Sequence, residues 1–194
     1  MSSKKIPTRD RILKSCQNLL ETRGAAEVRM SDIAKLAGIS RQALYLHFPN
    51  RAELLIATTR YLDEVHGISA VVDDKMMRVE GIARLEGFID AWGNYIPKIY
   101  GVGKALMAIK DTDQEASAAW DDRMLAVRHL CELTVKSLKD NKALSPDLKI
   151  KEAVDILWML ASVRNWEQLT QDCGWTQKAY LSHLRRSASA LIAA

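Results

Sequence analysis

The chain has little covalent or conformational punctuation. Three cysteines, Cys16, Cys131 and Cys173, stand far apart in 194 residues. An odd, scattered set excludes a disulfide-stapled scaffold and reads as reduced, mostly buried thiols. Only 4 prolines and 9 glycines are present, so few residues interrupt helices. No stretch alternates β-branched and polar residues as a half-buried strand would. No run of 18 apolar residues exists, which excludes a membrane-spanning helix. The opening "MSSKKIPTRDR" is polar and lacks the apolar centre of a secretory signal, so a cytoplasmic location is expected.

Signatures of catalysis are missing too. His129 and Cys131 diverge on a helix and have no second ligand pair nearby, so no metal is expected. "GVGK" at 101–104 lacks the earlier glycine of a phosphate loop, where Lys98 stands. It also lacks the preceding strand and the following Ser or Thr. Neither a nucleophile–base pair nor a dinucleotide fingerprint is found. The expectation is a protein with no catalytic residues and no cofactor.

What is present is an ordinary globular composition, 48% hydrophobic and 27% charged, with an uneven charge. Residues 1–60 hold 11 Lys/Arg against 5 Asp/Glu, while residues 61–194 hold 17 against 19. The net charge of +4 therefore conceals a basic first third, which raises the expectation of nucleic acid.

The periodicity is helical throughout and predicts an all-α chain of about nine helices. Ile12, Leu13, Cys16, Leu19 and Leu20 form the stripe of a first helix running to about Thr22, ended by Gly24. A second covers about Met30 to Ala37 and stops at Gly38. Ser40 then caps a short third helix, "RQALYLH". Helix, glycine-containing turn, helix is the helix-turn-helix pattern. After "PN", Asn50 caps a long helix from Arg51 to about His66. Further segments are expected near 79–97, 102–110, 113–141, 149–172 and 175–193, punctuated by Pro97, Gly101, Pro146 and Gly174. The division read from this is 1–52 and 53–194.

The third helix is unusual in how little anchors it. Leu44 and Phe48 fall on one face, with Ile39 as a hydrophobic staple. Gln42, Ala43, Tyr45 and Leu46 point outward, flanked by Arg41 and His47. A helix this size fits the major groove of duplex DNA. Gln42 can pair bidentately with adenine and Arg41 with guanine, and Ala43 allows close approach or touches a thymine methyl. Tyr45, His47 and Arg51 suit phosphate oxygens. The readers so defined are Ser40, Arg41, Gln42, Ala43, Tyr45, His47 and Arg51.

The last helices carry a second pattern. "AVDILWMLASVRNW" (153–166) is apolar over a wide arc, and 175–193 has a stripe of Leu181, Leu184, Ala188 and Leu191. This is either a deep monomer core or a helix pair that meets its copy as a four-helix bundle. The dimer set is Leu157, Trp158, Ala161, Leu181, Leu184, Ala188 and Leu191.

Residues 11–55, "RILKSCQNLLETRGAAEVRMSDIAKLAGISRQALYLHFPNRAELL", resemble the DNA-binding domain of the TetR family of transcriptional regulators. The resemblance rests on Ile12, Gly24, "DIAKLAGIS", Leu44–Tyr45, "HF" at 47–48 and Arg51, Glu53, Leu54, Leu55. It implies a helix-turn-helix head on a helical effector-binding and dimerisation domain, a palindromic operator, and a small-molecule effector that moves the paired heads. Repression by occlusion is the default. A helical enzyme or a protein-binding adaptor without DNA binding is the alternative, and the basic first third weighs against the adaptor. Departures from the family are Arg29 where Thr or Ser usually caps the second helix, Gln42 where Gly is frequent, and Arg51 for a commoner Lys. Arg29 and Ser31 join the DNA set, and Gln42 is the candidate for an unusual base preference. Candidate effector contacts are the large middle-helix side chains Trp92, Tyr95, Met107, Trp120, Met124 and Trp158, with Asp90 and Asn94 on one helix face. The number of Trp points to a small apolar or aromatic effector.

Overall fold

The computed structural model describes residues 6–194, so the reading of "MSSKK" at the N-terminus lies outside the described residues. Among them no strand occurs, and the chain is all-α. A single isolated antiparallel bridge joins Leu144 and Ala193. No described helix is long and apolar enough to cross a membrane. Two compact units form, one up to Val65 with Ile99–Arg123, the other His66–Lys98 with Met124–Ala194.

The first unit contains α1 (Thr8–Arg23), a 3₁₀ turn Ala25–Glu27, α2 (Met30–Leu36), α3 (Arg41–His47) and α4 (Arg51–His66) up to its residue 65. It also takes residues 99–109 of α6 (Gly81–Ile109) and 114–123 of α7 (Gln114–Asp140). One apolar cluster explains this grouping. The predicted α1 stripe Ile12, Leu13, Cys16, Leu19 and Leu20 packs with Ile33, Leu44, Leu54, Leu55 and Leu62, and with Val102, Leu106 and Ala119. The expected boundary at 52/53 therefore does not match the packing, because the apolar face of α4 is buried in the same core as the helix-turn-helix.

The second unit comprises α5 (Ile68–Val72), a π-helical turn Asp73–Met77, the remaining parts of α6 and α7, α8 (Ile150–Leu160), α9 (Val163–Glu167), a π-helical turn Gln168–Asp172 and α10 (Gln177–Ile192). Two expected punctuations fail here. The break predicted at Pro97 and Gly101 does not occur, and α6 runs through both. Proline lacks the N–H that would bond to the carbonyl four residues back, which is Gly93. Gln177 Nε2 supplies that hydrogen bond instead, at 2.8 Å from Gly93 O, while its Oε1 accepts from Trp166 Nε1 at 2.8 Å. The segment expected over 149–172 is instead divided. α8 ends at Leu160 with Ala161 as its C-cap, and Ser162 Oγ accepts from Arg164 N at 3.2 Å to start α9. Trp92 Nε1 donates to Ala161 O at 2.7 Å, satisfying a carbonyl at the end of α8.

Candidate nucleic-acid interface

The turn between α2 and α3 is closed by backbone geometry. Gly38 has φ +67°, Ile39 N–H bonds Ala34 O at 3.0 Å and Gly38 N–H bonds Lys35 O at 3.2 Å. This paired pattern is a Schellman motif, and the left-handed residue favours glycine. Two residues on, Ser40 Oγ accepts from Ala43 N at 3.1 Å and starts α3. Only Leu44 and Phe48 are buried from the α3 segment, at 0% and 3% exposure, with Ile39 half-buried against the core. α3 is thus a short helix held by its cap and two side chains.

The rest of α3 faces outward in an ordered way. At about 100° per residue, Gln42 and Leu46 lie about 40° apart on the side opposite Leu44. Arg41 and Tyr45 form one flank, Ala43 and His47 the other. Arg41 Nη2 donates to the Tyr45 hydroxyl at 3.4 Å, and its guanidinium lies 5.6 Å from the ring centroid. Ser40, Arg41, Gln42, Tyr45 and His47 are exposed and Ala43 is half-buried. Arg29 and Ser31 are exposed at the start of α2, and Arg29 provides no side-chain cap.

Arg51 requires a correction. Its side chain is only 16% exposed, and Nη1 reaches Asp113 Oδ2 at 2.8 Å and Glu115 Oε2 at 3.2 Å, while Nη2 donates to Ala25 O at 3.0 Å. The guanidinium is satisfied within the first unit and does not face outward as a phosphate ligand. It joins the start of α4 to the loop after α1 and to the start of α7. Burial alone pushes the Asp113 carboxyl up, but the Ala116 N–H, the Arg51 guanidinium and the Glu115 N–H outweigh it and hold it below the ordinary value. Arg60 pairs with Asp122 at 2.6 Å, and Arg123 with Asp63, along the same helices. The missed signal was the acidic pair of residues 113 and 115 at the start of α7, a cation site that sequence spacing does not connect to Arg51. Cys16, within this core, has its thiol pushed up to about 11 by burial, and burial takes Cys131 to about 12, which favours the protonated thiol in both.

The predicted effector residues are divided between the two units. Met107 and Trp120 belong to the first unit, the other six to the second. Trp92 is buried with its N–H used on Ala161. Asp90 is paired with Arg185 and, at 4.0 Å, with Lys75. Asn94 Nδ2 turns back to Asp90 O at 2.8 Å. Tyr95 is buried and packs edge-on against His66. Met124 is half-buried, and Trp158, 37% exposed, lies under the Arg128 guanidinium at 5.2 Å. A cleft of about 250 Å³ in the second unit is lined by none of them; its walls include Leu160, Asn165, Leu169, Tyr180, His183 and Leu184. The dimer set is also corrected. Leu157, Ala161, Leu181, Leu184 and Ala188 are buried inside one protomer, so they cannot be the contacting surface. Trp158 and Leu191 remain exposed, joined by Met159 at 51%.

Residues 12–58 match the family model for bacterial regulatory proteins of the tetR family. Over 59 residues the chain is 42% identical to the HTH-type transcriptional regulator TtgR of Pseudomonas putida, covering 30% of this chain and 28% of that protein. Over 110 residues it is 32% identical to the nucleoid occlusion factor SlmA of Vibrio campbellii, covering 54% of this chain and 56% of that one. The matches thus span about half or less of these relatives. The structure of the fatty acid degradation regulator FadR from Bacillus halodurans superposes with a TM-score of 0.76 at 16% identity, over 97% of this chain and 98% of that one, a likeness of fold.

Proposed function

We propose, from the premise that residues 12–58 of this chain are a TetR-family domain, that the protein is a DNA-binding transcriptional regulator reading a palindromic operator as a dimer. The observation that carries this is α3. It is capped and anchored from one side only, and it turns Gln42, Arg41, Tyr45 and His47 to solvent in the most basic third of the chain. Gln42 and Arg41 read base edges, while Tyr45, His47, Arg29 and Ser31 meet backbone phosphates. Ser40 caps α3, and Ala43 leaves room for the approach.

Binding in pairs sets two α3 helices about 34–36 Å apart, or a multiple of it. The pairing surface is the exposed side of α8 and α10, with Trp158, Met159 and Leu191 in place of the buried stripe. Promoter occlusion needs no activating surface, so the regulator is a repressor of the cytoplasm. A small apolar or aromatic effector shifts the dimer between spacings and weakens DNA binding by its differential affinity. A cleft in the second unit, where Leu160, Leu169 and Leu184 stand beside Asn165, Gln168 and His183, offers space for a small ligand. No part of the proposal is catalytic.

The test is fluorescence anisotropy with labelled duplex fragments from the source genome at low ionic strength. Binding that falls steeply with salt and narrows to a few fragments is expected. Failure to retain any fragment contradicts the proposal.

A further inference from the structure

Leu46 is the most exposed large hydrophobic residue of the described chain, at 84%, and it sits on the crest of α3 beside Gln42. Single exposed leucines are common and need no explanation by themselves. Three features set this one apart. α3 has only Leu44 and Phe48 to hold it, yet its other leucine is turned away from that core. Leu46 follows Gln42 by one helical turn on the face opposite the anchor, so it reaches as far from the head as Gln42 does. Its neighbours along the helix are Gln42, Ala43, Tyr45 and His47, of which Gln42, Tyr45 and His47 are exposed and bring an amide, a phenol and an imidazole to its sides. An apolar surface one side chain wide is too small for a protein hot spot, which needs a desolvated cluster. It matches a single methyl group presented among hydrogen-bonding edges.

We infer that Leu46 is a base-reading residue that packs on the C5-methyl of a thymine in the major groove, the only apolar group the four base pairs display there. This rests on the regulator reading above and adds a specificity determinant to it. Four residues along α3 advance roughly 6 Å, or about two base steps of roughly 3.4 Å. The thymine therefore lies about two base pairs from the one addressed by Gln42 in each half-site.

The test uses the full-length chain and the operator selected from random duplexes. Each thymine is replaced in turn by deoxyuridine, which removes only the methyl, and affinity is measured for wild type, Leu46→Ala and Leu46→Met. One position per half-site is expected to weaken the wild type and Leu46→Met by roughly three- to fivefold. The same replacement leaves Leu46→Ala unchanged, and that variant is weaker on the thymine operator by a similar factor. Thermal unfolding of Leu46→Ala coincident with wild type shows the head is intact. An operator whose deoxyuridine pattern is the same for wild type and Leu46→Ala overturns the inference and leaves the regulator reading standing. Absence of any selected operator overturns both.

Discussion

Helices α3 and α6 both carry amide, aromatic and apolar side chains, but those side chains meet different things. In α6 and its neighbours, three polar groups that looked available have internal partners. Trp92 N–H closes the end of α8, Gln177 replaces the hydrogen bond that Pro97 cannot make, and Asp90 is held by Arg185. In α3, Gln42 and His47 stand exposed and bond to no described residue, and the side chains opposite Leu44 have no packing partner. The residue types are alike; what separates a structural group from a candidate reader is whether the chain itself satisfies it. Arg51 makes the same point in reverse, since its sequence position reads as a DNA contact and its geometry is that of an internal clamp.

The comparison can be broken most strongly inside α3. Leu44→Ala removes one of two anchors from a fully buried site and is expected to cost about 2–5 kcal/mol, with loss of DNA binding. Leu46→Ala, two residues on, is expected to stay within about 0.5 kcal/mol of wild type. Urea unfolding of both variants checks this, and equal effects would mean that α3 is not one-sided.

Helix α6 should fail by addition instead of deletion. A Cβ on Gly87 would stand 1.9 Å from Lys75 O, a backbone atom that cannot swing aside. Gly87→Ala is therefore expected to destabilise by about 1–3 kcal/mol, read as a lowered midpoint in urea.

Arg51 and His47 sharpen the contrast between clamp and reader. Arg51→Ala leaves Asp113 and Glu115 without their cation, and a loss of about 1–3 kcal/mol in stability is expected with an unchanged salt slope of DNA binding. His47→Ala should do the opposite, leaving unfolding unaltered and lowering the salt slope by about 1. A salt titration of both variants checks the pair, and a reduced slope for Arg51→Ala would return it to the phosphate set.

The smallest effect is in pH. Asp113 is held below its ordinary value in the fold, so its contribution is present above the unfolded value of about 3.9 and fades as pH falls through the folded one. Wild type is expected to lose its stability advantage over Asp113→Asn below about pH 4. A constant difference across acid unfolding curves would remove Asp113 from the clamp.

Much of the first unit was legible because its signals are local. Ser40 caps α3, Asn50 caps α4, Gly38 closes the turn, and the α1 stripe faces the core, each decided within a few residues of sequence. The second unit was harder because its decisions are long-range. Whether Pro97 ends a helix depends on Gln177, and whether Trp92 lines a pocket depends on Ala161. The stripe of Leu181, Leu184 and Ala188 was correctly apolar, but periodicity cannot tell a protomer's own core from a partner's surface. Arg51 was misread for the same reason, its acidic partners lying 62 and 64 residues away.

The most direct test is selection of binding sites from random duplex DNA by wild type and by Gln42→Ala. The account predicts an inverted repeat for the wild type, with half-site centres one helical turn or a multiple apart, and the same repeat for the variant with one base pair per half-site no longer specified. No motif at all, or an identical motif from both proteins, would contradict α3 as the element that reads DNA through Gln42.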